Sequence, residues 1–412
     1  MRNAAAILIL VLSVTMLNCK QETKVQQALP IEKPSMVQEL TSPALPSSSL
    51  PHLVSNKGVT LLSWVETEGD SMATLKYAEL KDDKWQESVT ITKGDDWFLN
   101  WADYPMIAEN KGDLWSHILK KSTSGTYSYD VKMNSRPKGA AEWATNIALH
   151  TDGTPTEHGF VSVLPYRDSF FVNWLDGRNT LENEAGERGA MTLRAGIVSA
   201  SGVLTDESQL DARTCDCCQT TSAMTNNGPV VLYRDRTADE IRDISIVRQV
   251  EGKWSNPKVI HDDNWKINGC PVNGPKVAAM GNNLVVAWFT AAQQNPRVQL
   301  VFSQDGGENF QEPIVIADED VMGRVDVLWI NEETAAVSWM ESTIDKRATF
   351  NVVKATLNGE VSKKQVITEM DGSRKSGFPQ MEIDGKTLYF AWTDYSASKP
   401  RVKTAMMSLE NL

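Results

Sequence analysis

Short apolar runs that end in a bulky aromatic recur along the chain from about residue 50 onward. Leu61-Leu62-Ser63-Trp64, Asp113-Leu114-Trp115, Phe170-Phe171-Val172-Asn173-Trp174, Val230-Val231-Leu232-Tyr233, Leu284-Val285-Val286-Ala287-Trp288, Ala335-Ala336-Val337-Ser338-Trp339 and Leu388-Tyr389-Phe390-Ala391-Trp392 share this form. The aromatic residues are 51, 59, 59, 55, 51 and 53 positions apart. Runs this short, bounded by Gly, Asp and Asn, read as strands. Seven units of one length, each with several such strands, predict an all-β fold: a seven-bladed β-propeller of four-stranded antiparallel blades over residues 51–412. The last unit has room for three strands before Leu412, so Met36-Val37-Gln38-Glu39-Leu40 is expected to supply the fourth and close the ring from the N-terminal side.

In such a ring the innermost strands surround a central channel, and the segments that open them meet on one face. Those segments carry unusual motifs: Pro51-His52, Trp101-Ala102-Asp103-Tyr104-Pro105, Glu157-His158-Gly159-Phe160, Cys215-Asp216-Cys217-Cys218, Cys270-Pro271-Val272-Asn273-Gly274-Pro275, Gly323-Arg324-Val325-Asp326 and Gly377-Phe378-Pro379. The register therefore gathers candidate chemistry from distant positions at one hub.

The N-terminus has a different pattern. Arg2 precedes an apolar stretch over positions 4–16, the size of a secretory signal core and too short for a comfortable membrane span. Residues 1–18 read as a signal peptide. Met16-Leu17-Asn18-Cys19 resembles the lipobox of bacterial lipoproteins, which implies lipidation of Cys19. Residues 19–50 then form a polar, Pro- and Ser-rich tether that includes the closing strand. These features predict an exported cell-envelope lipoprotein, facing the periplasm or on the outer-membrane surface, with the lipid as its one membrane contact. A monomer is expected.

A net charge of −12, from 41 basic and 53 acidic residues, excludes nucleic acid as a partner, because that binding depends on basic clusters the chain lacks. Of five cysteines, the four beyond Cys19 are Cys215, Cys217, Cys218 and Cys270, which open adjacent inner strands. Two readings stay open: disulfides, as export favours, or a thiolate site for Cu or Zn with His261 as a further ligand. His158 and Glu157 open the third unit, and His117 follows Trp115. A histidine aimed at the hub serves as acid, base or ligand, while a lone one elsewhere is structural. Arg178, Arg234, Arg236 and Arg324 offer planar donor forks for a carboxylate or sulfate, the alternative being local pairing with Asp176, Asp235 and Asp326. His158, Glu157, Asp103 and Tyr233 are the candidate catalytic groups, and Arg178, Arg234, Arg236, Arg324 and His117 the candidate ligand-binding ones. Glu341 and Asp394 follow Trp339 and Trp392 and are expected to face the same funnel.

Ser303-Gln304-Asp305-Gly306-Gly307-Glu308-Asn309-Phe310 matches the Asp-box, Ser-x-Asp-x-Gly-x-x-(Trp/Phe). On this motif the repeat region resembles the BNR-repeat, sialidase-like propeller proteins of bacteria. The resemblance implies an acidic-glycan ligand and exo-sialidase-like hydrolysis, with polysaccharide lyase chemistry as a variant. The Phe/Tyr-Arg-Ile-Pro motif of sialidases does not occur, and sialidases have six blades. The alternatives to an enzyme are a non-catalytic glycan- or protein-binding lipoprotein and a Cu- or Zn-binding protein.

Overall fold

The structure is a computed structural model that describes residues 36–412 apart from positions 70 and 183. The apolar N-terminal segment and Cys19 lie outside the described residues. Those described form seven antiparallel sheets, and the only helical elements among them are four short 3-10 turns. The innermost strands are Ser48–Asn56, Ile107–Asn110, His158–Tyr166, Thr221–Thr225, Lys276–Met280, Val321–Asn331 and Gln380–Asp384. Each pairs with the strand that follows it, and two further strands complete the sheet. This is the seven-bladed propeller of four-stranded blades. In the first and fourth blades the outer position is split, between Lys84–Trp85 and Val89–Gly94 and between Lys253–Trp254 and Lys258–Val259.

The second strands explain the aromatic repeat. Each lies mid-blade with both faces covered by neighbouring blades, so its residues are apolar on both sides instead of alternating. Val59–Glu68 buries Leu61, Leu62, Trp64 and Val65 together. Trp64, Trp115, Trp174, Trp288, Trp339 and Trp392 are all essentially inaccessible. An aromatic that hides roughly 200 Å² contributes about 5 kcal/mol at 25 cal/mol per Å².

Burial leaves the indole N–H to be satisfied, and a repeated device does so. Residues two apart on a strand share a face, and Trp64 donates to Glu66 Oε1, Trp174 to Asp176 Oδ2 and Trp339 to Glu341 Oε1, each at 2.9 Å. A cation then caps the carboxylate: Lys76 on Glu66 at 2.8 Å, Arg178 on Asp176 at 2.7 Å and Lys364 on Glu341 at 2.5 Å. Asp394 pairs likewise with Lys403 at 3.1 Å. Glu341 and Asp394, expected in the central funnel, are instead engaged in these blade-internal pairs.

The Asp-box sits after the strand Arg297–Ser303 and before Ile314–Ala317. Ser303 Oγ donates to Asp305 Oδ1 at 2.8 Å and accepts from Gly307 N at 3.0 Å, while Asp305 Oδ1 also accepts from Asn309 N at 2.9 Å. The motif is a self-satisfied turn. The first inner strand begins at Ser48, before Pro51, because Leu50 takes a positive φ of 57° and the register shifts between Ser49 and His52. Gln38–Leu40 pairs antiparallel with Arg401–Ser408, as the outer strand of the seventh sheet.

Candidate functional site

Contacts between blades that are not neighbours mark the hub. Gln219, opening the fourth blade, donates from Nε2 to Ala102 O at 2.6 Å, and its Oε1 accepts from Gly274 N at 3.0 Å. Trp101 stacks on Phe378 with centroids 5.8 Å apart, and Tyr104 lies 6.2 Å from the same ring. Tyr104, Phe160 and Phe378 belong to one apolar cluster, against which Trp101, Val272 and Cys217 pack. The segments opening the blades thus meet, and apolar side chains fill much of their meeting point. Two grooves of about 660 and 630 Å³ lie elsewhere, one lined by Tyr166, Arg167, Glu207 and Trp254, the other by Gln38–Pro43 and Asp83–Ser88.

The thiols assemble at this hub. Cys215, Cys217 and Cys218 occupy a tight turn before Thr221–Thr225, held by Cys215 N donating to Arg234 O at 3.1 Å. Cys215 Sγ lies 3.8 Å from Cys217 Sγ and 3.7 Å from Cys218 Sγ. Cys270, on the segment opening the fifth blade, places its thiol against Cys217. All four are free thiols; a disulfide needs about 2.05 Å. Sulfurs bound tetrahedrally at about 2.3 Å to one ion stand about 3.8 Å apart, so the Cys215, Cys217 and Cys218 cluster can hold a metal. Cys215 and Cys218 are buried, Cys217 is half-buried and Cys270 is exposed.

Charge around the turn favours a thiolate. Arg242, immediately before the strand Ile244–Val250, is buried; its Nη1 donates to Cys215 Sγ at 3.1 Å and its Nη2 to Glu240 at 2.7 Å. A guanidinium has no acceptor, so the sulfur must accept. Hydrogen bonds from Cys217 and Cys218, with Arg242 beside them, hold Cys215 well below the usual thiol range. Burial pushes Cys218 up to about 12. The buried Arg242 Nε has no partner and adds an unused donor beside the cluster. His261 does not join the thiols: it follows the outer strand of the fourth blade, 3.7 Å from Asp263 and 6.2 Å from the Trp288 ring.

Glu157 lies near the sulfurs, and Asp103 lies near Glu157. Tyr129 donates to Glu157 Oε1 at 2.6 Å. Burial, then the charges of Asp216, Cys270 and Cys215, push Glu157 up to about 7. Asp103 Oδ1 accepts from Phe160 N at 2.8 Å, while its buried Oδ2 has no partner. Burial raises Asp103 well above the carboxylate range, with the Glu157 charge adding to it. Burial thus favours the protonated form of Asp103, and Glu157 is a group poised to exchange a proton near neutrality.

The histidines divide. His52 Nδ1 accepts from Ile107 N at 3.1 Å and His117 Nδ1 from Met106 N at 3.3 Å. Burial lowers each to about 3, so both are neutral and serve to fix the start of the second blade. His117 thus anchors backbone through Nδ1, while its buried Nε2 has no partner. His158 is fully buried and stacks on His150 at 3.8 Å. Its Nδ1 faces Tyr129 O and Thr156 O at 3.3 Å, and its Nε2 faces Asp152 at 3.4 Å and Asp176 at 3.7 Å. His150 Nδ1 donates to Asp152 at 2.7 Å because its Nε2 accepts from Val131 N. Asp152, His158 and Asp176 could hold an ion by spacing, but Arg178 already supplies positive charge there.

The arginines do not share a cavity. Arg178 grips Asp176 through Nε and Nη2, both at 2.7 Å, and reaches Glu207 at 3.1 Å. Arg236 pairs with Asp216 at 2.9 Å and Glu240 at 2.8 Å. Arg234 is buried and spends its fork on Asn273 O, Arg242 O and Phe289 O at 2.6–3.0 Å, under the Trp265 ring. Arg324 binds Ser376 Oγ and Gly377 O at 2.8 Å beside Trp101. Arg234 and Arg324 therefore tie adjacent blades together. Tyr233 is also directed away from the hub, since its buried hydroxyl donates to Asp211 of the third blade.

Solved structures share this architecture. Polysaccharide lyase Uly1 superposes with a TM-score of 0.51 at 10% identity, over 93% of this chain and 94% of that one. The phage phi92 endosialidase superposes with a TM-score of 0.50 at 9% identity, over 90% and 69%. The chain has a sialidase-like propeller fold. At this identity the likeness concerns the fold alone. No protein-family model and no curated protein matches the sequence.

Tyr129, His150, Asp152 and Arg242 escaped sequence reasoning. Tyr129 opens a third strand and Arg242 precedes one, positions that carry no repeat landmark. The spacing of His150 and Asp152, two residues apart and shortly before the Glu157-His158 motif, is the one mark they leave in the sequence.

Proposed function

We propose that this chain is an exported, lipid-anchored propeller that binds a thiophilic ion, Cu(I) or Zn(II), through Cys215, Cys217 and Cys218, with Cys270 beside them. One observation carries the reading: three sulfurs 3.7 and 3.8 Å apart, unbridged, with a guanidinium donating to one of them. A fold that already has a large core needs no staple at such a turn, whereas a metal accounts for the crowding. Arg242 and Glu240 form the outer shell that orients the ligands.

The test is elemental analysis of natively purified protein with a parallel thiol count. One equivalent of Cu or Zn is expected, lost in Cys217→Ser. A metal-free protein with all four thiols titratable, or paired as disulfides, overturns the reading.

A second reading, action on an acidic glycan, is supported by the fold shared with an endosialidase and a polysaccharide lyase and by the Tyr129–Glu157 pair near the hub. It predicts release of sialic acid from conjugates, or of ultraviolet-absorbing unsaturated uronate from a polyuronate, abolished in Glu157→Gln. Binding to a glycan array without turnover would leave a non-catalytic lectin.

A further inference from the structure

The four thiols are not equivalent, and their order runs from solvent inward. Cys215 and Cys218 have 1% and 2% of their surface exposed, Cys217 is intermediate and Cys270 is open to solvent. The three thiols of the turn lie within one ligand-sized sphere, whereas Cys270 approaches that group from the next blade through Cys217.

The backbone holds the Cys270 segment firmly. The clamp comes four residues later. A β-carbon at Gly274 would meet Gln219 O at 2.0 Å, so the two segments touch there as only glycine allows. Gly274 N also donates to Gln219 Oε1, and Asn273 O accepts from Arg234. The segment that carries the thiol is therefore anchored beside the turn, while Cys270 itself is exposed.

We infer that Cys270 is the exchange ligand of the metal site, through which a thiophilic ion passes between Cys215, Cys217 and Cys218 and a small-molecule thiolate carrier. This rests on the metal-binding reading above. The step is a ligand substitution with no change of oxidation state. Cys270 sulfur forms a bond to the ion as a carrier thiolate leaves, and the carrier takes up the proton that Cys270 gives up. Cys217 then replaces a second carrier sulfur, which takes up the Cys217 proton, and Cys215 displaces Cys270, which takes the Cys215 proton back as the ion moves under the cover of the turn. Thiolate exchange depends on access to the sulfur, and Cys270 is the one with that access.

The experiment uses full-length protein loaded with Cu(I) supplied as its glutathione complex. Stopped-flow transfer of the ion to a chromophoric Cu(I) chelator is followed at fixed pH. Cys270→Ser is expected to keep one equivalent of copper yet slow both uptake and release about tenfold or more, with Cys217→Ser losing the ion. Equal rates in Cys270→Ser and wild type overturn the inference, and so does loss of copper from Cys270→Ser, which would make Cys270 a permanent ligand. In both cases copper on the wild-type protein still upholds the underlying reading. Failure of wild type to take up copper or zinc sinks that reading and the inference with it. Unchanged thermal unfolding of metal-free Cys270→Ser shows that the exposed substitution leaves the fold intact.

Discussion

Gly159 faces Asp103 so closely that a β-carbon on the glycine would lie 2.1 Å from Asp103 Oδ2. The Glu157-His158-Gly159-Phe160 motif thus owes its glycine to a buried carboxyl from the preceding blade, whose other oxygen takes the Phe160 amide. Gly159→Ala should lower stability by about 1–3 kcal/mol through overpacking, seen as a drop in the urea midpoint at unchanged slope. Asp103→Asn, which keeps the acceptor and matches a neutral acid, should be far milder.

His52 and His117 take the consecutive amides of Ile107 and Met106. Both are held neutral in the fold to about pH 3, while the unfolded chain protonates them near 6.5. Below 6.5 the unfolded state binds more protons, so this contribution to stability falls as pH drops from about 6.5 toward 3. His52→Phe leaves the Ile107 amide unpaired and should cost about 1–3 kcal/mol at pH 7, with a shallower loss toward acid. Urea midpoints at a series of pH values check both effects.

Glu157 has the opposite dependence. Its folded value of about 7 stands above the unfolded 4.5, so the fold is favoured by its proton and loses that advantage as pH rises from about 4.5 to 7. In metal-free protein, Glu157→Gln should gain stability relative to wild type across that interval and stay level above it. A difference curve of the wrong slope would place Glu157 in a wetter setting than its contacts indicate.

Arg234 offers a sharp contrast with Arg178. The first serves three carbonyls from inside the protein, the second reaches solvent while holding Asp176. Arg234→Lys cannot reproduce the fork and should destabilise by about 3 kcal/mol or more, without changing copper stoichiometry in whatever fraction folds. Differential scanning calorimetry with metal analysis of the folded pool separates the two outcomes.

Ion binding should itself stabilise the fold. Free copper or zinc at 100 times its dissociation constant adds about 2.7 kcal/mol, read as a rise in melting temperature that Cys217→Ser does not show.

The blade count was legible in the chain because each second strand is apolar on both faces and carries a buried aromatic. The cysteine site was legible for a related reason: adjacent units open side by side, so Cys217 and Cys270 had to meet. Arg178 and Arg236 take partners close at hand in the sequence, Asp176 and Glu240, whereas the partners of Arg234 and Arg324 are invisible there. Arg234 binds carbonyls of Asn273 and Phe289, and backbone oxygens leave no mark in a residue pattern. Glu341 and Asp394 failed for the converse reason, their partners being close at hand: an indole or a lysine in the same blade takes each carboxylate.

Gln38–Leu40 hydrogen-bonds to Arg401–Ser408, with Leu40 and Thr404 364 positions apart. The seventh sheet is therefore sewn from two distant stretches of the polypeptide, and its assembly waits for the later one to be delivered. A cut near position 400 severs Arg401–Ser408, an internal strand of that sheet, from its blade and should unravel it where the same cut in an ordinary tail would pass unnoticed.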